Sequence, residues 1–274
     1  MREHFDVAIT GRGPPILFLH GWPFHRATFR HIVAFLEQDF TCFNFNALGM
    51  AHDGWIPDGA GMDFADHARR VIAFADAFEL PAFHIVAHDT GGTVARLVAA
   101  HRPDRVEKLV LLNTEIPGHR PPFIPAYQRL FGHRWAHRWN GAVFRGLARS
   151  RFYRRSALGY GGCFHDKALI EGDFKALFVD HFIDHPQRFE GMRRYLVGLD
   201  FSVIDRLGEV HGAVRCPVQF IWGANDVTFP MALGREMAAS MPTCAGFAAV
   251  EASCFLPHEE RAATVARHAA RFLA

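Results

Sequence analysis

Several kinds of sequence feature are missing from this 274-residue chain, and each absence excludes a class of protein. Its five cysteines are odd in number and contain no Cys-x-x-Cys pair, which argues against a disulfide framework and against a zinc site. No apolar run approaches the length of a membrane span, and Met1–Asp6 lacks the apolar stretch of a signal peptide. There is no internal repeat and no low-complexity linker. We therefore expect a cytoplasmic globular protein without a membrane partner.

Charge is nearly balanced over the whole chain but uneven in one region. The net charge of +2 gives no reason to expect a nucleic-acid partner. Between Glu115 and Asp166, however, there is no other acidic residue, while arginine occurs at positions 120, 129, 134, 138, 145, 149, 151, 154 and 155. Arginine-rich aromatic stretches also occur in RNA-binding proteins. We interpret this one instead as helices with a solvated arginine face and an apolar aromatic face. The aromatic residues are Trp135, Trp139, Phe144, Phe152 and Tyr153.

Short apolar runs alternate with helical patterns over most of the chain, which predicts a parallel sheet with helices on both faces. The predicted strands are Pro15–Leu19, Phe40–Phe45, Ala82–Ala87, Val106–Leu112, Pro217–Trp222 and Gly246–Val250. The predicted helices of this part are Ala27–Glu37, Phe64–Phe78, Leu233–Met241 and Glu259–Leu273. The alternation stops between Glu115 and Gly212, where we expect helices and turns. The predicted fold class is therefore α/β.

Residues Val86–Gly92 read Val-Ala-His-Asp-Thr-Gly-Gly and lie between a predicted strand and a helical pattern. This is the nucleophile-elbow pattern, with Asp89 where hydrolases usually carry serine. The neighbouring residues must be small because the turn is tight, and the turn exposes its central side chain beside the positive end of a helix. An aspartate there attacks carbon directly and forms an alkyl ester, which water must then cleave. The alternative is that Asp89 only caps the helix beginning at Thr90.

Two further motifs follow predicted strands: His-Gly-Trp-Pro at His20–Pro23 and Gly-Ala-Asn-Asp at Gly223–Asp226. With the elbow, they make the chain resemble the α/β-hydrolase superfamily over nearly its whole length. The resemblance is to the aspartate-nucleophile branch, the epoxide hydrolases and the haloalkane or haloacid dehalogenases. It implies an α/β-hydrolase fold with a core of residues 1–114 and 213–274, a helical cap of residues 115–212, and no cofactor or metal.

The resemblance also implies roles for individual residues. The backbone N–H groups of Trp22 and Thr90 would stabilise the charge that develops on the intermediate. Asp226 would orient the catalytic histidine that these families carry before the last helix. At the expected histidine position this chain has Phe255. We predict that His258, three residues later, either replaces that histidine or only begins the helix.

These features support a hydrolase of a small-molecule substrate, an epoxide or a haloalkane, that acts through an ester on Asp89. Epoxide hydrolases protonate the opened ring with two cap tyrosines, for which the candidates are Tyr195 together with Tyr153 or Tyr160. The alternatives are another activity on the same scaffold, such as a carboxylic-ester hydrolase or a lyase, and a catalytically impaired small-molecule binder. The sequence does not decide whether the chain forms a homo-oligomer.

Overall fold

The computed structural model describes residues 5–133 and 135–274, so Met1–His4 and Arg134 of the basic stretch lie outside the described residues. Its centre is a seven-stranded sheet in the order β1-β3-β2-β4-β5-β6-β7. The strands are β1 Val7–Thr10, β2 Pro15–Leu19, β3 Thr41–Phe45, β4 Phe83–His88, β5 Val106–Leu112, β6 Val218–Gly223 and β7 Cys244–Val250. All neighbouring strands run parallel except β1, which pairs antiparallel with β3. The predicted α/β fold is confirmed.

The central strands were predicted accurately because they are buried on both faces of the sheet, and such strands read as continuous apolar runs. The bounds of β2 and β5 agree with the prediction, and those of the other predicted strands shift by one or two residues. The edge strand β1 was not predicted. Its residues are only half-buried or exposed, and its apolar stretch Val7–Ile9 is only three residues long.

Helices cover both faces of the sheet. In chain order the described helices are α1 Arg30–Leu36, α2 Phe64–Ala77, α3 Thr90–His101, α4 Phe123–Gly132, α5 His137–Ala148, α6 Arg151–Arg155, α7 His181–Ile183, α8 Pro186–Gly198, α9 Ser202–Asp205, α10 Leu207–Ala213, α11 Met231–Ser240, α12 Pro257–Glu260 and α13 Ala262–Leu273. The predicted closing helix is divided into α12 and α13 because the backbone of Arg261 is not helical (φ −138°, ψ 46°). None of the described helices combines the length and apolarity that crossing a bilayer requires.

Alternate residues of the central strands face two separate apolar clusters. Ile85 and Leu109 belong to the cluster that includes α2 and α3, whereas Val86 and Val110 belong to the cluster that includes α1 and α13. This alternation follows from the two-residue period of side chains along a strand. The first cluster continues into the cap, for example through Phe178.

The segment between β5 and β6, which we call the cap (residues 115–212), contains helices α4–α9 and most of α10, and no strand in its described part. Its predicted apolar face is wrong in part. Phe144 packs inward against Phe131, and Tyr153 packs against Phe144. In contrast, Trp139 and Phe152 are 73% and 92% exposed, and Trp135 is also largely exposed. Helical spacing indicates which side chains share a face, but not which face is covered.

Candidate active site

Asp89 lies in the tight turn between β4 and α3 and adopts the left-handed backbone conformation (φ 53°) that this turn requires. Such a φ is rare for a residue other than glycine and is found where surrounding structure enforces it. Gly91 has to be glycine because a Cβ atom there would collide with the backbone oxygens of Leu19 and His20. The structure therefore places Asp89 at the predicted elbow.

The Asp89 carboxylate is buried and accepts backbone hydrogen bonds from the predicted oxyanion residues. The N–H of Trp22 donates to Asp89 Oδ2 at 2.8 Å, and the N–H of Thr90 also contributes. Burial and the neighbouring Glu115 raise the pKa of Asp89 well above its ordinary value, although these two hydrogen bonds lower it. Trp22, Thr90 and Asp89 are thus brought together, as the sequence predicted.

A buried polar network beyond the end of β5 holds the elbow. The hydroxyl of Thr114 donates to the backbone oxygen of Asp89 at 2.8 Å. The fully buried guanidinium of Arg96, on α3, donates from Nη2 to Thr114 Oγ1 and to the Glu115 backbone oxygen, each at 3.0 Å. The Glu115 carboxylate accepts from Thr93 Oγ1 at 2.9 Å and lies 3.8 Å from Arg96 Nη2. The network connects α3 to the end of β5 and so fixes the turn between them.

Asp226 lies in the loop after β6 and is also buried. Its carboxylate accepts from Asn113 Nδ2 at 2.6 Å and from the N–H of Thr228 at 2.7 Å. Burial raises the pKa of Asp226 to about 7, although both hydrogen bonds lower it. Asp226 is near enough to Asp89 for its charge to affect the pKa of Asp89. Among the described residues, no histidine hydrogen-bonds to the carboxylate of Asp226.

His258 is a core residue: of its two predicted roles, the structure agrees with a place at the start of a helix and does not bring it to Asp226, as replacing the family histidine would require. Its side chain is fully buried, and Nε2 shares a hydrogen bond with Thr28 Oγ1 at 2.8 Å. Its ring packs against those of Phe29 and His88, with centroids 5.4 and 4.6 Å away. Burial holds its pKa well below the ordinary value. The first turn of α12 thus directs His258 away from Asp226, towards α1.

Phe255 occupies the place where the sequence led us to expect a histidine. The backbone hydrogen bond from Asn225 to Ser253, at 2.9 Å, brings this loop beside the loop that carries Asp226. The Phe255 ring packs against Phe229, which directly follows the Asp226 loop (centroids 5.8 Å apart). It also lines the same cavity as Asp89. An apolar ring therefore stands where a base would have to act.

The cavity beside Asp89 has a volume of about 390 Å³ and lies between the sheet and the cap. Most of its surface is apolar. Its lining includes Trp22 and Thr90 from the core and Tyr127, Phe144 and Leu196 from the cap. A cavity of this size and polarity suits a small, largely apolar organic ligand.

The structure separates the cap tyrosines that were predicted to act as a pair. Tyr153 and Tyr160 line the Asp89 cavity, and burial raises the pKa of both phenols, so both stay protonated. Tyr195 lines a different cavity, of about 770 Å³. Its hydroxyl is 3.2 Å from Thr90 Oγ1. Tyr195 therefore reaches the wall of the Asp89 cavity only through Thr90.

The sequence analysis missed several residues of the site, among them Arg96, Asn113, Glu115, Cys163 and His119, whose side chain lines the Asp89 cavity. A signal existed for Asn113 and Glu115, because polar residues directly after a buried parallel strand lie at the ligand-binding edge of the sheet. Arg96 gave no such signal, since an arginine in a helix is normally exposed. Cys163 lines the Asp89 cavity, and burial raises the pKa of its thiol.

A mostly parallel sheet with a strand–turn–helix elbow and a helical cap defines a hydrolase of the α/β fold. A profile of the alpha/beta hydrolase fold family matches residues 14–260, and the chain belongs to this family.

Individual relatives differ in their named activities. The chain is 26% identical over 238 residues to haloalkane dehalogenase 2 of Mycobacterium tuberculosis, covering 85% of this chain and 78% of that protein. It is 27% identical over 266 residues, 93% of each chain, to a pimeloyl-[acyl-carrier protein] methyl ester esterase of Chromobacterium violaceum. Among solved structures, an alpha/beta hydrolase fold protein of Burkholderia ambifaria superposes with a TM-score of 0.79 and 20% identity, covering 97% of this chain and 94% of that one. This last likeness shows the fold alone.

Proposed function

We propose that this protein is a hydrolase that transfers the alkyl group of a small haloalkane to Asp89. A carboxylate oxygen of Asp89 bonds to the carbon, the carbon–halogen bond breaks, and the halide leaves with the electron pair. The observation that carries the proposal is the position of Asp89 in the elbow. There it lines an apolar cavity, and backbone N–H groups stabilise its charge.

Halide displacement is favoured over epoxide opening because of the tyrosines. An epoxide oxygen needs a proton as the ring opens, and of the predicted pair only Tyr153 or Tyr160 lines the Asp89 cavity, whereas Tyr195 lines the other cavity. A halide leaves without a proton and needs only a hydrogen-bond donor, which the neutral phenol of Tyr160 can supply. The similarity to a haloalkane dehalogenase supports the same choice.

We further propose that the ester on Asp89 is hydrolysed slowly. Hydrolysis needs a base to activate water, and a positioned base contributes on the order of 10²–10⁴-fold. Phe255 stands at the expected position of that base, and Asp226 is held by Asn113 and Thr228. The same observations support a second candidate function, a protein that binds an apolar small molecule and retains it as a trapped ester.

The test is mass spectrometry of the intact protein and of its peptides after incubation with three probes that each carry a four-carbon group: butyl bromide, butene oxide and butyl acetate. We expect butyl bromide to add one butyl group to the peptide that contains Asp89, and the Asp89→Asn variant to gain none. Tyr160→Phe should slow this labelling without abolishing it. Label at another residue, or equal labelling of Asp89→Asn, would contradict the nucleophile role. A preference for butene oxide would contradict the choice of substrate class.

A further inference from the structure

The cap helix α5 has apolar side chains on the side that faces solvent. Trp139, Val143 and Leu147 are spaced four residues apart, and they are 73%, 45% and 48% exposed. Residues at this spacing share one face of a helix. The opposite side of α5 packs inward through Phe144, whose ring centroid is 5.4 Å from that of Phe131. The outer stripe therefore leaves about half or more of each of its side chains exposed.

A further exposed aromatic side chain follows on α6, where Phe152 is 92% exposed. Arg154 fixes the turn between the two helices, since its Nη1 donates to the backbone oxygens of Ala148 at 3.0 Å and Arg149 at 2.6 Å. Phe152 thus lies directly beyond the end of α5. Exposed apolar side chains scattered singly are normal, whereas a contiguous group marks a surface that contacts a partner.

The surroundings of the stripe are cationic. At about 100° of rotation per residue, Arg138, Arg145 and Arg149 lie together on α5 about 80–120° around the helix from Trp139, beyond Ala142 and Gly146. Arg149 pairs with Asp184, whereas Arg138, Arg145 and Arg151 form no ion pair with a described carboxylate. Residues 116–165 contain no acidic residue at all.

The mouth of the Asp89 cavity adjoins this surface. Leu158, just after α6, is 68% exposed and lines the cavity, as does Val227, which is 71% exposed. Tyr153, the residue after Phe152, lines the cavity as well. A ligand leaving an apolar phase at this surface would have a short path to Asp89.

We propose that the outer surface of α5 and α6, which we call the cap surface, binds an anionic lipid bilayer and presents the cavity mouth to it. Aromatic side chains enter the boundary between headgroups and acyl chains, while arginines pair with anionic headgroups. A second copy of this chain fits poorly, because two surfaces on which arginines outnumber carboxylates would repel each other. The expectation of no membrane partner rested on the lack of a long apolar run, which peripheral binding does not need.

One consequence of this inference rests on the proposed function: the substrate is a lipophilic molecule dissolved in the bilayer. The binding itself does not depend on catalysis. Asp89→Asn should therefore bind vesicles as the wild type does, even though it forms no ester. Wild-type protein that floats with vesicles but gains no butyl label would overturn the proposed function alone, whereas labelled protein that does not float would overturn this inference alone.

The first test is flotation of the protein with vesicles of phosphatidylcholine alone or mixed with phosphatidylglycerol. We expect strong binding only to the mixed vesicles, with loss of binding at high salt. The double variant Trp139→Glu/Phe152→Glu should lose about tenfold or more in binding. The matched control is Ile9→Glu/Phe35→Glu. It replaces two apolar surface residues outside the cap that are 47% and 49% exposed, and it should bind as the wild type does.

The second test separates charge from apolar contact. Arg138→Glu/Arg151→Glu should weaken binding to mixed vesicles by about tenfold or more. The matched control, Arg267→Glu/Arg271→Glu, makes the same charge change on α13 and should have little effect. Equal losses of vesicle binding in Arg138→Glu/Arg151→Glu and in Arg267→Glu/Arg271→Glu would overturn the proposal, as would a wild type that does not float with vesicles. Sedimentation velocity would then show whether Trp139→Glu/Phe152→Glu dissociates a dimer, which would assign the cap surface to self-association instead.

Discussion

The carboxyl group of Asp89 has a raised pKa, and this predicts how ester formation depends on pH. Only the ionised carboxylate attacks carbon, and burial beside Glu115 shifts its ionisation to higher pH. The rate of alkylation by butyl bromide should therefore rise with pH through this raised pKa and then reach a plateau. The measurement is the single-turnover labelling rate between about pH 5 and about pH 9. A rate that falls as pH rises would contradict attack by Asp89.

Phe255 is the residue that most limits hydrolysis in this account. Phe255→His would put an imidazole in the Asp89 cavity, beside the loop of Asp226. We expect the trapped ester to be hydrolysed about 10²-fold faster or more, because a base can then activate water. The measurement is the decay of the butyl adduct by intact mass after excess reagent is removed.

His258→Ala provides the comparison for this variant. Since His258 is buried against Thr28 and His88, its removal should lower stability and leave the decay of the ester unchanged. A labelled His258→Ala protein that is folded but no longer releases its ester would show that His258 is the base after all. Unchanged decay in Phe255→His would show that the missing imidazole is not what limits hydrolysis.

At the scale of the elements, helix α3 depends on a buried arginine. Arg96→Ala would leave the Glu115 carboxylate buried without its cation, and breaking one partner of a buried pair costs roughly 3–5 kcal/mol. We expect a loss of this size in the free energy of unfolding, measured in urea. Arg102→Ala is the control. Arg102 follows the last residue of the same helix and pairs with Asp104 on the surface, so its removal should change stability little.

An unfolding free energy of Arg96→Ala close to that of Arg102→Ala would show that the network does not support the elbow. Arg96→Met gives a further comparison. If this variant were as stable as the wild type and yet labelled more slowly at Asp89, the network would be needed to position the nucleophile and not only to stabilise the fold.

The sequence predicted the central elements better than their ends. Strand β4 is buried throughout and β5 ends in the buried apolar run Leu109–Leu112, so their bounds were nearly right, whereas the half-buried or exposed strand β1 was missed. The site was predicted where it is local in sequence, as at Asp89 and Trp22. The parts of the site that depend on contacts between residues far apart in the sequence were not predictable. Nothing in the motif around His258 indicates a partner 230 positions earlier, at Thr28.

At the scale of the whole molecule, the cavity at Asp89 is the meeting point of sheet and cap. The motifs indicated that Asp89 and Asp226 would lie at one edge of the sheet, because the carboxyl ends of parallel strands share that edge. The direction of the cap side chains was not predictable. Trp139 and Phe152 match an apolar pattern and yet are exposed, because packing against the core is decided by the tertiary arrangement.

The central claim is that Asp89, and not water, attacks the substrate carbon. A single turnover of butyl bromide in ¹⁸O-water tests it most directly, with slow ester hydrolysis allowed to finish. If Asp89 attacks, the released butanol carries no ¹⁸O, since its oxygen comes from the carboxylate, and the peptide containing Asp89 gains ¹⁸O as water cleaves the ester. Butanol that carries ¹⁸O in this first turnover, with an unlabelled Asp89 peptide, would show direct attack by water and contradict the account.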